Sequence, residues 1–393
     1  MKKVFLFSLF LVLGLVLSQC LPVWLGEAFL TAEKVAKTLM FVCLAFIMIN
    51  VGREFELDKT EWRSYAADYF IAMATAAVPW IMVAFYYMFL LPADLFGNWD
   101  AWKENLLLSR FAAPTSAGIL FTMLAAAGLR REWIYKKTQV LAIFDDLDTI
   151  LLMIPLQIFM IGFKWQLFAV VIVITFLLVI GWKKLGTIRL SQTWKSILFY
   201  AVCIVAVTES IYLLTKWMMG ADGAIHIEVL LPAFVLGMVM KTVHQHGNRD
   251  EKITGMISYL FMFLVGLSTP QFIGIDHGHR ITEAVGIIAA QPMPSWEVLI
   301  VHVIVVTLLS NLGKMFPLFF YRDRQLEERL ALSVGMFTRG EVGAGIIVIA
   351  MGYNLGGPAL IISVLSLVLN LLLTGGFVVI VKRLAQQAYG LKE

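Results

Sequence analysis

Long apolar segments recur along the whole chain and restrict its fold more than any other feature. A helix needs about 20 apolar residues to cross a lipid bilayer. Open sheets cannot span lipid, and the segments lack the alternation over about ten residues that marks barrel strands, so we expect an all-α polytopic membrane protein with about 12 transmembrane helices. The segments lie at about 4–26, 36–52, 64–91, 106–129, 134–161, 165–182, 196–215, 225–243, 253–274, 297–321, 330–352 and 357–381.

The composition excludes a water-soluble enzyme. Of the 393 residues, 60% are apolar and 15% are charged, and the mean hydropathy of +0.84 is far above that of soluble domains. A net charge of +4 gives no argument for nucleic-acid binding, because the basic residues have another use. We expect one integral membrane domain over residues 1–393, in contact with the lipid bilayer, without a soluble regulatory domain and without a cofactor.

The basic residues predict the orientation of the chain. Most of the 31 lysines and arginines lie near the two ends and on alternate loops between the apolar segments. Lysine and arginine are retained on the cytoplasmic side of a membrane, so both termini are expected to be cytoplasmic and the protein to be a multi-pass protein of the inner (plasma) membrane. Two ends on one side also require an even number of helices.

Three carboxylates, Asp145, Asp146 and Asp148, lie near the centre of the fifth apolar segment. A charge in mid-bilayer costs about 2.5–3.5 kcal/mol on insertion scales, so such residues are functional candidates by default. At about 100° per residue, Asp145 and Asp148 lie on similar faces of a helix, whereas Asp146 points away from Asp148. Clustered carboxylates favour proton uptake, and their hard oxygens suit a small cation such as sodium. The alternative is a salt-bridged helix contact.

Lys314 carries the opposite charge inside the tenth apolar segment. An unpaired ammonium at that depth is costly. We therefore expect it to form an ion pair with Asp145. The alternative is that its long side chain extends to the cytoplasmic edge of the membrane.

Helix-breaking sequences interrupt two further segments at mid-depth. The fourth contains Ala-Ala-Pro-Thr-Ser-Ala-Gly over residues 112–118, and the eleventh contains Thr-Arg-Gly-Glu-Val-Gly-Ala-Gly over residues 338–345. Paired broken helices at corresponding places in the two halves of a chain are typical of inverted-repeat transporters with a midplane site. Arg339 and Glu341 are expected to compensate the partial charges of the half-helix ends. A packing kink is the alternative for each break.

The motif Leu-Ala-Ile-Phe-Asp-Asp-Leu at residues 141–147, with Lys314 and the Arg-Gly-Glu run at residues 339–341, resembles the ion-binding residues of bacterial electrogenic sodium/proton antiporters of the NhaA and NapA type. These belong to the cation/proton antiporter superfamily. The resemblance implies inverted repeats with two crossed broken helices, an ion-translocating core mainly in residues 64–161 and 253–352, and a dimerisation panel mainly in residues 1–52 and 165–243. It also implies a homodimer and alternating access.

The resemblance further implies roles for individual residues. The principal site for Na+ (or Li+) and for protons would be Asp146, with Asp145 as its neighbour and as the partner of Lys314. The remaining implied residues are Thr115 and Ser116, which would line the fourth-helix break, and Arg339 and Glu341, which would stabilise the crossing. Such members exchange two protons for one sodium ion, and the protein would not be an enzyme.

This sequence departs from the family pattern at two places. Asp148 stands where the family usually has a small or apolar residue, and it could add a further ion ligand that changes selectivity or stoichiometry. The fourth-helix break has no acidic residue, and we expect Glu341 to supply the compensating charge instead.

Three other functions compete with this interpretation. A potassium/proton antiporter would use similar residues, but it usually carries a nucleotide-binding domain. A sodium-coupled symporter of an organic anion also uses crossed broken helices, yet it needs no aspartate pair with an intramembrane lysine. An intramembrane aspartyl protease would need two aspartates from different helices, with a Gly-x-Gly-Asp context that the sequence lacks.

Overall fold

The computed structural model describes most of the chain. Its described residues are 2–25, 28–53, 62–116, 120, 124, 129, 132–161, 172, 176–177, 179–181, 183–184, 186–219, 229–240, 248–268, 286–353 and 355–390.

Within these residues the chain forms twelve α-helices and no β-strand, which confirms the predicted all-α class. The helices are α1 (Lys2–Leu25), α2 (Ala28–Arg53), α3 (Trp62–Phe89), α4 (Trp99–Ser109), α5 (Trp133–Ile161), α6 (Trp194–Met219), α7 (Leu230–Val239), α8 (Asn248–Leu267), α9 (Trp296–Gly313), α10 (Leu326–Gly335), α11 (Glu341–Gly352) and α12 (Gly357–Tyr389).

Several of the described helices have the length and composition of membrane spans. Five qualify on both criteria: Ala32–Arg53, Ala66–Phe89, Trp194–Trp217, Trp296–Phe319 and Gly357–Tyr389. Helix α5 is longer than most, with 29 residues, but its three central aspartates separate it from this apolar group. The expected total of about 12 spans stays a prediction.

The helix contacts within and between the two halves of the chain follow a repeated pattern. Helix α1 packs on α8, and α2 packs on α7. Likewise α3 packs on α5, and α9 packs on α12. These pairs correspond if α1, α2, α3 and α5 are matched with α7, α8, α9 and α12, so the contacts have the pattern that an internal repeat produces.

Glycines allow the closest approaches in two of these repeated contacts. A Cβ atom at Gly14 would collide with the backbone of α8, and one at Gly266 would collide with the backbone of α1. Gly52 and Gly237 make the same reciprocal contact between α2 and α7. Small residues at membrane helix interfaces permit such close backbone packing. The two glycine pairs therefore fix two equivalent crossings between the halves of the chain.

Helix α2 lies deep inside the bundle. Its residues from Cys43 to Ile49 are all at most 5% exposed, on every side of the helix. The helix contacts α6, α7 and α8. A helix that is apolar and buried all round must be enclosed by other helices. The division of the chain into a core and a dimerisation panel stays a prediction.

Candidate functional site

The two predicted breaks interrupt helices, but the second is shifted towards the N-terminus, because residues 341–345 of the predicted stretch are helical. Helix α4 ends at Ser109 and continues as a single 3-10 turn, Arg110–Ala112, after which residues 113–116 are not helical. Pro114 favours this break because it lacks an N–H group and restricts the residue before it. The second break consists of residues 336–340, between the end of α10 and the start of α11.

The two breaks cross and form hydrogen bonds with each other. The backbone N–H of Ser116 donates to the carbonyl of Thr338 at 2.9 Å. The hydroxyl of Thr115 donates to the carbonyl of Met336 at 3.1 Å. Unwinding a helix inside a membrane exposes backbone groups that must find partners within the protein. Here each break supplies partners for the other.

Arg339 connects the crossing to a third helix. The residue is 2% exposed, and its guanidinium donates to the carbonyls of Pro114 at 3.1 Å, Met336 at 3.3 Å and Ser310 at 3.3 Å. The acceptors lie on the first break, just after α10, and on α9. A positive charge at the C-terminal end of a helix is stabilised by the exposed carbonyl groups. Arg339 therefore binds backbone carbonyls that the interruptions leave without helical partners.

Lys314 and Asp145 form a fully buried ion pair. The Lys314 ammonium lies 2.7 Å from Oδ2 of Asp145, and both side chains are 0% exposed. This is the pairing that the sequence predicted, and the lysine does not extend to the membrane edge. The other carboxylate oxygen of Asp145, Oδ1, is buried and accepts no hydrogen bond from the described residues.

Asp146 is the residue after Asp145 on α5, and it is also 0% exposed. The three aspartates do not converge on one point, because no group of three or more acidic, histidine or cysteine side chains in the described part of the chain could hold a metal ion together. Asp145 and Asp148 lie on similar faces of α5, yet each pairs with a different cation, Lys314 and Arg110 respectively.

Asp148 forms a second buried ion pair, with Arg110. The Nη2 atom of Arg110 lies 3.0 Å from the backbone carbonyl of Asp148 and 3.4 Å from its Oδ2 atom. The guanidinium carbon lies 4.4 Å from the centre of the Trp80 ring. Trp80 is itself held by a hydrogen bond of 2.7 Å from Nε1 to the carbonyl of Leu106. Arg110 thus joins α3 and α5 at the start of the first break.

A row of buried polar pairs links α9 and α12 beside the lysine. Thr307 and Ser366 join their hydroxyls at 2.8 Å. One turn further on, Nδ2 of Asn370 donates to Oδ1 of Asn311 at 2.9 Å. Asn311 lies three residues before Lys314, so this row, which we call the polar ladder, ends close to the ion pair.

The structure brings most of the predicted residues to one region. Thr115, Ser116 and Arg339 meet at the crossing, and Lys314 meets Asp145. Glu341 begins α11, but its side chain lies outside the described part of the structure. The roles of these residues in ion binding stay predictions.

Sequence reasoning missed two groups in this region. Arg110 lies within the fourth apolar segment, and the general cost of intramembrane charge would have identified it as a candidate. For its partner Asp148, the sequence left two possibilities open, a further ion ligand or a salt-bridged helix contact, and it did not identify Arg110 as the counter-charge. The polar ladder gave a weaker signal, since single Asn and Thr residues are common in membrane helices.

Comparison with known families and structures identifies the class of protein. The family described as sodium/hydrogen exchanger, transmembrane, matches residues 2–385. The chain therefore belongs to the sodium/hydrogen exchanger family. It is a multi-pass membrane transporter that performs cation/proton antiport, and the resemblance read from the aspartate motif is confirmed at the level of the superfamily. A comparison with curated proteins finds no match.

Solved structures of similar fold exist. One is the sodium proton antiporter MjNhaP1 from Methanocaldococcus jannaschii at pH 8. It has a TM-score of 0.61 and 13% sequence identity, over 98% of this chain and 92% of the other. At this identity the similarity establishes the fold.

Proposed function

We propose that this protein is an electrogenic Na+(Li+)/H+ antiporter in which the cation and protons compete for Asp146 and Asp145. The observation that carries the proposal is the fully buried aspartate pair, with one member bound to the equally buried Lys314. Thr115 and Ser116 at the crossing add neutral oxygens to the same site. Both termini are cytoplasmic in this proposal, and the protein acts as a homodimer in the inner membrane.

The balance of buried charges supports proton coupling. Among the described side chains around the crossing, three carboxylates and three cations are at most 2% exposed. They are Asp145, Asp146, Asp148, Arg110, Lys314 and Arg339. When all are ionised, their charges sum to zero. A sodium ion that enters this region adds an unbalanced charge, which is costly in a low-dielectric interior.

Lys314 is the cation in this set that can remove the imbalance. An arginine stays protonated in proteins, whereas a buried lysine loses its proton readily. In the proton-loaded state Asp146 and Lys314 each carry a proton, so the set has a net charge of +1. When sodium binds at Asp146 and both protons leave, the charges of the set and of the sodium ion sum to zero. Two protons then exchange for one sodium ion, and the cycle moves one net charge.

The test is sodium-driven proton flux in proteoliposomes with an imposed pH gradient. Sodium, lithium and potassium are added in turn, and Asp146→Asn is the matched control. We expect sodium and lithium to dissipate the gradient in the wild type, and the Asp146→Asn variant to show no response. A larger potassium response would assign the protein to potassium/proton antiport. Unchanged apparent sodium affinity in Asp146→Asn would contradict the proposed site.

A further inference from the structure

The third aspartate of α5 has surroundings that differ from those of the other two. Asp148 is bound by a guanidinium, through both its backbone carbonyl and its carboxylate. We propose that Arg110 is a fixed counter-charge for Asp148, so that this aspartate positions α5 against the first break and does not bind the transported cation. This inference rests on the antiport function proposed above.

The hydrogen bonds of Arg110 in the described structure all go to one residue. Within the described structure, both of its hydrogen-bond acceptors belong to Asp148, while Nε and Nη1 are buried and make no hydrogen bond. No second acceptor in this part of the chain draws the guanidinium away. A cation that bound Asp148 would have to displace Arg110 and leave a buried guanidinium without a counter-charge, which is strongly unfavourable.

Trp80 holds the guanidinium in place from the other side. The ring lies against Arg110 at 4.4 Å, a distance at which a desolvated guanidinium is attracted to the face of an indole. The hydrogen bond from Trp80 to Leu106 fixes the ring relative to α4. Arg110 is therefore held between α3 and α5 and cannot turn away without losing contacts on both sides.

The position of Arg110 gives the pair a mechanical consequence. Arg110 is the first residue of the 3-10 turn that precedes the first break. Thr115, in the break, follows five residues later. Asp148 lies less than one helical turn after Asp146. The ion pair thus ties the aspartates of α5 to the unwound segment, and it sets the distance between Asp146 and the oxygens of the break. Arg110 is a positioning residue for the cation site.

The experiment is a double-mutant cycle with Arg110→Gln and Asp148→Asn. Each single variant leaves one buried charge unpaired, so we expect it to lower the melting temperature in detergent and to reduce transport at least about tenfold. The double variant removes both charges and replaces them with two amide side chains, which can hydrogen-bond to each other and keep α5 tied to the first break. It should recover most of the melting temperature and keep the half-saturating sodium concentration within about twofold of the wild type.

Two results would overturn the inference. One is a double variant that is no more stable than the weaker single variant, because the two residues would then not be coupled. The other is a recovered double variant whose half-saturating sodium concentration rises more than about fivefold, because Asp148 would then be an ion ligand.

A second pair of variants decides the question if the double variant does not fold. Asp148→Glu keeps the charge and adds one methylene, and Asp146→Glu is the matched control at the cation site. We expect the half-saturating sodium concentration to stay near the wild-type value in Asp148→Glu and to rise strongly in Asp146→Glu. A similar rise in both variants would contradict the inference.

The cycle also separates this inference from the proposed antiport. If wild-type proteoliposomes respond to no cation, the antiport proposal fails. The melting temperatures of the four proteins still show whether Arg110 and Asp148 are coupled.

Discussion

The two buried ion pairs of α5 differ in how firmly their cations are held. Lys314 reaches Asp145 through one hydrogen bond of 2.7 Å from a flexible side chain. Arg110 bonds to both the backbone and the carboxylate of Asp148 and also lies against the Trp80 ring. The first pair can separate when one proton leaves, whereas the second holds a cation that keeps its proton.

This contrast indicates why one helix carries three carboxylates. A transporter needs groups that change charge during its cycle, and it needs other groups that hold these at a fixed depth in the membrane. Asp145 and Asp146 fit the first requirement, and Asp148 fits the second. The type of cation paired with Asp145 and with Asp148 distinguishes these two carboxylates, because lysine can lose a proton and arginine cannot.

The largest effect is expected from Lys314→Met. This change leaves the Asp145 carboxylate buried without its counter-charge, which should lower the free energy of unfolding by about 3–5 kcal/mol. Titration with SDS measures the loss. The double variant Lys314→Met/Asp145→Asn removes both charges and should recover most of the stability while it still moves no second proton.

An exposed ion pair provides the control for that measurement. Lys37 pairs with Glu33 one turn earlier on α2, and its side chain is 45% exposed. Lys37→Met should cost about 1 kcal/mol or less, because solvent screens such pairs. Equal losses in Lys37→Met and Lys314→Met would show that burial does not strengthen the Lys314 pair.

A smaller effect is expected from Trp80→Leu. The change removes the ring that covers Arg110 and the hydrogen bond to Leu106, with an expected loss of about 2–3 kcal/mol in the free energy of unfolding. Trp80→Phe keeps a ring and should lose about 1 kcal/mol. Thermal or SDS unfolding of both variants makes the comparison. Equal losses in the two variants would mean that the hydrogen bond, and not the ring, holds this side, because both variants lose that bond.

The smallest effect is expected in the polar ladder beside Lys314. Asn370→Leu breaks the hydrogen bond to Asn311, and such bonds between membrane helices contribute about 0.6 kcal/mol on average. A double-mutant cycle with Asn311→Leu should give a coupling energy of this size. A coupling near zero would mean that the ladder does not hold the lysine helix in register.

Much of the fold was predictable because few backbone structures satisfy all of their hydrogen bonds inside lipid. The all-α class, the two breaks and the pairing of Lys314 with Asp145 each followed from the cost of exposing a polar group to hydrocarbon. In each case the sequence contained a group that is costly to bury and a group that can compensate it, such as the ammonium of Lys314 and the aspartates of α5.

The pairing of Arg110 with Asp148 was not predictable in the same way. Arg110 follows α4 in the chain, and its partner lies 38 residues later on α5. The contact depends on how far the first helix unwinds and on how α5 is rotated. The hydrogen bonds between the two breaks depend on the same geometry, which local sequence patterns do not determine.

The number of charges moved in each transport cycle tests most directly whether Lys314 releases the second proton. Proteoliposomes are prepared with fixed sodium and pH gradients, and the membrane potential at which net flux stops is measured for the wild type and for Lys314→Arg. We expect a stopping potential that corresponds to two protons per sodium ion in the wild type. In Lys314→Arg the second proton cannot leave, so any remaining exchange should be insensitive to the membrane potential. Flux in the wild type that does not depend on the potential would contradict the role assigned to Lys314.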